Sequence, residues 1–194
     1  DHWVSIERNI GDVDKNTPVF VRQFLHMKQF SKINQDNKEI YRAYKEYFIS
    51  QNLKNENALI ELEKFSKYFS MIIGFSEHSN PTVSDLLFEI DSIMKRTTAY
   101  CFILKLLLLN DESKLDDAKL IQLLNIVISY AVRRTIMGLG SGGSMDELFI
   151  NLTKVVSDAD SYENIVDEVY DYLSKQGYAR RFPTDSELKE ELKK

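Results

Sequence analysis

Apolar residues recur three and four positions apart along most of this chain, which is the spacing of an α-helix with one buried face. The first such helix is predicted to begin at Thr17 and Pro18, because an N-capping threonine followed by proline is a common helix start. The predicted stripes are Val21, Phe24, Leu25 and either Met27 or Lys28; Ile40, Tyr41, Tyr44, Tyr47 and Phe48; Leu59, Leu62, Phe65, Tyr68, Phe69 and Ile72; Leu86, Leu87, Ile90, Ile93 and Met94; Leu148, Phe149, Leu152 and Val155; and Ile165, Val166, Val169, Tyr172 and Leu173. No segment alternates long enough to predict a strand.

Two further segments are apolar on almost every side. One runs from Ala99 to Leu109, interrupted by Lys105, and the other from Asp116 to about Met137. Helices that are apolar all round are buried on all sides. We therefore predict an all-α fold, a bundle of about eight or nine helices around two nearly fully apolar central helices.

Capping patterns divide the chain further. Later helices are predicted to start at six capping pairs: Asp36 with Glu39, Thr82 with Asp85 after a break at Asn80 and Pro81, Ser113 with Asp116, Ser144 with Glu147, Asp160 with Glu163, and Thr184 with Glu187. Residues 1–16 are predicted to be an irregular lead-in and residues 17–194 a single helical domain, with a candidate hinge at 138–144 and a last helix still running at Lys194. Because the chain begins at Asp1 without a methionine or a basic-then-apolar leader, we expect a fragment of a longer multidomain protein.

The composition excludes several classes of protein. A chain of 194 residues with 43% hydrophobic residues can close a core, which excludes wholesale disorder. With 7 Gly and 3 Pro, a sandwich or barrel is disfavoured. One cysteine excludes a disulfide framework and a cysteine-based zinc cluster. The longest apolar stretch is too short to cross a bilayer, so we expect a cytoplasmic protein without a membrane partner.

Charge is distributed unevenly along the sequence. Residues 22–54 contain 7 Lys or Arg against 3 Asp or Glu, whereas residues 144–194 contain 7 against 12. A dedicated nucleic-acid coat is disfavoured by the net charge of −5. The asymmetry fits either solvated helix surfaces or two different partners.

Most motifs in the chain predict little chemistry. Gly138, Gly140 and Gly143 match the dinucleotide-binding spacing, but that motif must follow a strand, and here a helix precedes it. A helix stop and flexible hinge is the favoured interpretation. The three histidines lie far apart in sequence and predict no metal site. Cys101 lies in the most apolar segment and is expected to be an inert, small hydrophobic residue.

Arginines are the strongest candidates for contacts. Arg133 and Arg134 end a predicted helix, where they can complement its negative end or grip a carboxylate or phosphate. Arg180 and Arg181 repeat the pair near the C-terminal end. Arg22 with His26 resembles the arginine-to-histidine pair of helical ribonucleases, although the spacing between them is too short.

The order of several segments resembles a known arrangement. The segments are Phe20–Leu25, Ile40–Tyr44, Leu62 with Lys64 and Tyr68, Tyr130–Gly138, Leu148–Phe149 and Arg181–Asp185. Together they resemble the helical middle region of GmrSD-type, modification-dependent (type IV) restriction endonucleases. The tyrosine–double-arginine–glycine stretch and the Arg-Phe-Pro-Thr-Asp stretch are the most specific parts of this resemblance, which covers nearly the whole chain.

The resemblance implies a parent enzyme that cuts modified foreign DNA with the help of nucleotide hydrolysis. A nucleotide-hydrolysing domain would precede this region and an HNH-type nuclease domain would follow it, so nucleotide and divalent metal would belong to those flanking domains. The Asp-Gly-Gln-Arg-type and His-Asn-His motifs of these domains are not found here. This segment is therefore expected to be a non-catalytic coupling domain, with flanking domains and DNA as partners.

Four residues are candidates for contacts with DNA or another anion: Arg22, Arg42, Arg133 and Arg134. No catalytic, cofactor-binding or metal-binding residue is predicted in this segment. The alternative is a free-standing α-helical scaffold or adaptor that binds another protein, which the clustered aromatic residues of the second predicted helix favour.

Overall fold

The computed structural model describes residues 2–52, 54–94, 97–140, 144–177 and 180–193, and all the regular structure in these ranges is helical. The helices are α1 (His2–Ile10), α2 (Val13–Gln29), α3 (Asn37–Ser50), α4 (Asn55–Ile72), α5 (Pro81–Met94), α6 (Tyr100–Asp111), α7 (Asp117–Ile136), α8 (Ser144–Asp158), α9 (Ile165–Ser174) and α10 (Asp185–Glu191). A 3-10 turn, Thr97–Ala99, leads into α6. The all-α prediction is confirmed, and the described helices slightly outnumber the predicted ones.

Helix α6 forms the centre of the bundle. It packs against α2, α4, α7 and α8, and most of its side chains are buried, including Phe102 and Leu104 at 0% exposure. This segment is the one predicted to be buried on all sides, and that prediction is confirmed. An isotropically apolar helix needs neighbours around its whole circumference, which explains its position.

Helix α7 is apolar over much of its length but buries mainly one side. Leu120, Leu123 and Val127 are fully buried, whereas Val132 and Ile136 are each 37% exposed. Helix α5 covers part of α7, and α6 and α9 cover further parts. The second of the two predicted central helices is therefore less enclosed than α6.

The N-terminal prediction was wrong. Residues 2–10 form helix α1 instead of an irregular lead-in, and its Ile6 and Ile10 are buried. Helix α2 begins at Val13, where the side chain of Asp12 accepts a hydrogen bond from the Lys15 amide at 3.2 Å. The start predicted at Thr17 therefore lies inside α2.

Pro18 lies inside α2 as well. A proline there removes one helical hydrogen bond, the one that would reach the carbonyl of Asp14. Asp14 is exposed, so water can satisfy that carbonyl. The burial of Phe20 and Phe24 further along α2 offsets the lost bond.

Two predictions near the C-terminal end were also wrong. Helix α9 begins at Ile165, several residues after the cap predicted at Asp160, because Ser161 and Glu163 form a local turn in which the Glu163 amide donates to Ser161 Oγ at 3.2 Å. Helix α10 ends at Glu191 and does not run to the end of the chain. Its predicted start is confirmed by a complete capping box between Thr184 and Glu187.

Several other helix ends match the sequence. Asp36 and Asp116 cap α3 and α7 through their side chains. Gly138 follows α7 with a φ of +62°, a left-handed conformation that favours glycine. The candidate hinge extends into residues 141–143, which lie outside the described residues. No helix in the described ranges has the length and apolarity needed to cross a bilayer.

Candidate functional site

The end of α7 and the segment before α10 are joined by polar and aromatic contacts. We call the contacts of Tyr130, Arg133 and Arg134 with residues 180–185 the C-terminal clasp. The Tyr130 hydroxyl donates to the carbonyl oxygen of Arg180 at 2.8 Å. The ring centroids of Tyr130 and Phe182 lie 5.5 Å apart in an edge-on arrangement. The clasp therefore ties the last helix to the core through a buried aromatic residue.

Arg133 uses its whole guanidinium group in the clasp. Its Nε donates to Ser129 Oγ at 3.0 Å and its Nη1 donates to the Pro183 carbonyl at 3.0 Å. Its Nη2 pairs with Asp185 Oδ1 at 2.6 Å. The guanidinium carbon lies 5.6 Å from the centroid of the Phe182 ring, within the range of a cation–π contact.

Arg134 is almost fully buried, at 5% exposure. Its Nη2 donates to the Gly140 carbonyl at 2.7 Å, and its Nη1 reaches the Arg181 carbonyl at 3.5 Å. These oxygens include carbonyls beyond the negative end of α7, where a cation is stabilising. The two arginines thus bind main-chain oxygens of this chain. These contacts favour a structural role at the end of α7 over the binding of an external carboxylate or phosphate.

Arg180 and Arg181 are paired as well. Arg180 forms an ion pair with Glu147 of α8, and Arg181 forms one with Glu187 of α10. Each is a hydrogen-bonded contact between partly exposed side chains. These pairs flank the clasp and add a link from the C-terminal segment to α8.

Arg22 lies in the interior and not on a basic surface. It is 4% exposed, its Nη2 pairs with Asp146 Oδ2 of α8 at 2.7 Å, and its Nε donates to the Ile33 carbonyl at 2.9 Å. The prediction of Arg22 as a contact for external DNA was therefore wrong, because its charge is neutralised inside the protein. No pattern in the sequence indicates this pairing, which joins residues 124 positions apart.

His26 completes this buried polar cluster. The Ile33 amide donates to His26 Nε2 at 3.0 Å, which places the ring proton on Nδ1. Burial, together with the nearby Arg22 cation, lowers the pKa of His26 to about 4. His26 is thus a neutral, fully buried residue, and the ribonuclease-like pair of Arg22 and His26 offers no surface to RNA.

Arg42 is the one predicted contact residue that the structure leaves exposed on the surface away from the clasp. It lies on α3 between Lys38 and Lys45, which are also exposed. Spacings of four and three residues place all three cations on one helix face. We call Lys38, Arg42 and Lys45 the α3 basic stripe. The basic charge of this region was predicted from the sequence; the stripe was not, although the spacing of its three cations indicates it.

The remaining candidate groups have structural surroundings. His2 contacts Glu63 through Nδ1 at 2.5 Å, and His78 contacts Asn110 at 3.0 Å. In the part of the chain that the structure describes, no three His, Cys, Asp or Glu side chains form a group that could hold a metal ion. Cys101 is fully buried in α6, as its place in the most apolar segment predicts, and burial raises the pKa of its thiol to about 12.

A groove between α1, α2, α3 and α4 was not foreseen. Its volume is about 430 Å³, and its walls are mainly apolar and aromatic. We call it the α1–α4 groove. Its lining includes Trp3, Asp14, Asn37, Tyr41 and Tyr44, together with the aliphatic residues Val21, Ile40 and Leu62. Trp3 and Tyr41 are 42% and 69% exposed, so much of their ring surface faces solvent.

The sequence was compared with protein-family models, curated proteins and solved structures. No protein-family model matches it, and neither a curated protein nor a solved structure matches it significantly.

Proposed function

We propose that this chain is a non-catalytic helical coupling domain of a protein resembling the GmrSD-type restriction endonucleases, which cleave modified foreign DNA. In this proposal it joins a nucleotide-hydrolysing domain to a nuclease domain. The two active domains supply the nucleotide and divalent-metal chemistry, and this segment fixes their relative position.

The observation that carries the proposal is the C-terminal clasp. The two sequence stretches most specific to the resemblance, residues 130–138 and 181–185, contact each other through Phe182 and the Arg133–Asp185 ion pair. Because several contacts join these two distant stretches, they form one structural unit. A nuclease domain following residue 185 would take its position from this unit, so the clasp is suited to couple the domains mechanically.

The proposal is tested in the full-length protein that contains this chain. Weakening the clasp with Arg133→Ala is expected to leave nucleotide hydrolysis intact while cleavage of modified DNA falls at least tenfold. The control is Val156→Ala, a core change in α8 chosen because Val156 is fully buried away from the clasp. Equal loss of cleavage in both variants at matched melting temperatures, or unchanged cleavage in Arg133→Ala, contradicts the coupling role.

Within the same proposal, the α3 basic stripe is the surface that contacts DNA. Each phosphate neutralised by a Lys or Arg releases counterions, so binding weakens as salt increases. Replacing Lys38, Arg42 and Lys45 with Gln is expected to reduce DNA affinity and flatten its salt dependence. The matched control replaces three cations elsewhere, Lys154, Lys175 and Lys189, and is expected to change the salt slope much less.

The second candidate is a protein-binding scaffold, which the open α1–α4 groove favours. An apolar surface of this kind is typical of sites that bind a partner. Salt-independent binding of a protein, with no measurable affinity for DNA, is the result that favours the scaffold over the coupling domain.

A further inference from the structure

The α1–α4 groove has the size of a small-molecule site. Its volume of about 430 Å³ lies within the range of roughly 300–1,000 Å³ that is usual for ligand pockets. Its walls combine aliphatic residues of α2 and α4 with aromatic residues of α1 and α3. A ligand that fills it would cover aromatic surface that is now in contact with water, which is a favourable change.

The formal charge in and beside the groove is negative. Among the described residues that line it, Asp14 is the only one with a formal charge. At the rim, the indole Nε1 of Trp3 donates to Glu7 Oε1 at 2.8 Å, so a second carboxylate lies beside the ring. Both charges are negative, and the electron-rich faces of Trp and Tyr add to that potential.

The α3 basic stripe does not cancel this potential from inside the groove. Asn37, Tyr41 and Tyr44 face the groove, whereas the stripe occupies positions 38, 42 and 45. Each stripe position follows a groove position by one residue, so at 3.6 residues per turn the two sets are separated by about 100° around the helix axis. The cations therefore project to a neighbouring face, and the groove presents aromatic rings and a carboxylate.

We propose that the α1–α4 groove binds a small organic cation, an alkyl- or arylammonium ion with an apolar body. The ammonium group lies against the rings of Trp3, Tyr41 and Tyr44 and near the Asp14 carboxylate. The apolar body covers the aliphatic wall formed by Val21, Ile40 and Leu62. This site is independent of the clasp and of the proposed coupling function.

The test uses Trp3, the only tryptophan of the chain. Its indole N–H gives a single side-chain signal in a ¹H–¹⁵N spectrum, which is followed during titration. The probes are benzyltrimethylammonium and the isosteric pair choline and 3,3-dimethyl-1-butanol, which differ in charge and hardly in shape. Both cations are expected to shift the signal saturably, and choline is expected to bind about fivefold or more tightly than its neutral isostere.

Two variants separate the sources of affinity. Tyr41→Leu keeps an apolar surface but loses the aromatic face, and is expected to weaken benzyltrimethylammonium binding about fivefold. Asp14→Asn is expected to weaken it about threefold, as for a solvent-exposed charge pair. Both positions are on the surface, so the fold is retained, which circular dichroism checks. Glu89→Gln on α5 is the matched control and leaves the affinity unchanged.

Either of two results overturns the proposal. The first is that 3,3-dimethyl-1-butanol binds as tightly as choline, which would make the groove a neutral apolar site. The second is that Asp14→Asn and Glu89→Gln change the affinity for the cation equally, which would reduce the effect to the net charge of the protein.

Discussion

Arg22 places a positive charge in the protein interior, where Asp146 is its ion-pair partner. The stability of the folded chain therefore depends on that pair staying intact. Desolvating an arginine and an aspartate is costly, and the attraction between them roughly offsets that cost. Removing one partner leaves the other charge buried without compensation. At this position a single substitution therefore has a larger effect than the pair itself contributes.

We expect Arg22→Met to lower the free energy of unfolding by about 3–5 kcal/mol, because Asp146 is left as an unpaired buried charge. The double variant Arg22→Met, Asp146→Leu is expected to be more stable than either single variant. Urea denaturation measures all three.

The control for this comparison is Lys175→Met. Lys175 pairs with Asp171 at a similarly short 2.5 Å, but both side chains are mostly exposed. Its loss is expected to cost less than about 0.5 kcal/mol. If the double variant is as unstable as the sum of the single variants, the burial argument fails.

His26 makes stability depend on pH. Its pKa is about 4 in the folded chain and near 6.5 when unfolded, so the unfolded state takes up the proton first as the pH falls. Stability from the neutral ring is present above about pH 6.5 and is lost progressively down to pH 4. The total loss is roughly 3 kcal/mol.

The measurement is the difference between the urea stabilities of the native chain and His26→Gln from pH 7.5 to pH 4. Other groups that titrate in this range cancel in the difference. The two curves are expected to converge as the pH falls, because only the native chain loses the contribution of the neutral ring. Parallel curves would exclude this role for His26.

At the scale of elements, the C-terminal clasp holds a short helix that could not persist alone. Helix α10 has 7 residues, far fewer than an isolated helix needs. Its stability comes from the capping box at Thr184 and from the Phe182 ring, which lies 5.5 and 5.6 Å from the rings of Tyr130 and Tyr170.

Phe182→Ala is therefore expected to release residues 180–193 while the rest of the bundle stays folded. A loss of about 1.5 kcal/mol from the half-buried ring raises the open population, and trypsin cleavage after Arg180 and Arg181, about tenfold. Thr184→Ala removes only the N-cap of α10, which lowers the stability of this segment by about 1 kcal/mol. It is therefore expected to increase trypsin cleavage less than Phe182→Ala does. A rise in cleavage throughout the chain would instead indicate global destabilisation.

A helix could be predicted from the sequence where its buried face contains many apolar residues at helical spacing. Helices α4 and α6 each bury a long run of residues, so their patterns predict them without reference to neighbours. Helix α1 buries only Ile6 and Ile10, mainly against α4, and two positions make a weak pattern. Pro18 added to the error, because proline usually marks the first turn of a helix and here lies in the second.

At the scale of the whole molecule, α6 is the central helix and contacts α2, α4, α7 and α8. Phe102 is fully buried and lies 6.3 Å from Phe149 of α8, measured between ring centroids. Phe102→Ala is expected to cost about 3–5 kcal/mol. Phe88→Ala, at a residue that is 67% exposed, is expected to stay within about 0.5 kcal/mol.

Cys101, which lies in α6 next to Phe102, can be used to measure how often the core opens. Its thiol is buried and its raised pKa of about 12 keeps it protonated, so a thiol reagent reacts only after the core opens. Labelling is expected to accelerate at least a hundredfold in Phe102→Ala, and to be unchanged in Phe88→Ala. Fast labelling of the native chain would show that α6 is accessible without unfolding.

The candidate sites were harder to predict than the fold because they depend on contacts between distant segments. The roles of Arg133 and Arg134 could be narrowed to two alternatives from their place at a helix end. Nothing near Arg22 in the sequence indicates that Asp146 would reach it. The α1–α4 groove likewise requires four helices to be positioned before its walls meet.

The pairing of Arg22 with Asp146 also sets an order of events during synthesis. A ribosome adds about 5–20 residues per second. Asp146 lies 124 residues after Arg22, so it is synthesised several seconds later. Until then the Arg22 guanidinium lacks its carboxylate partner and is expected to stay in contact with water, which delays the packing of α2 against α8. The bundle is thus expected to reach its final form only after α8 has been made.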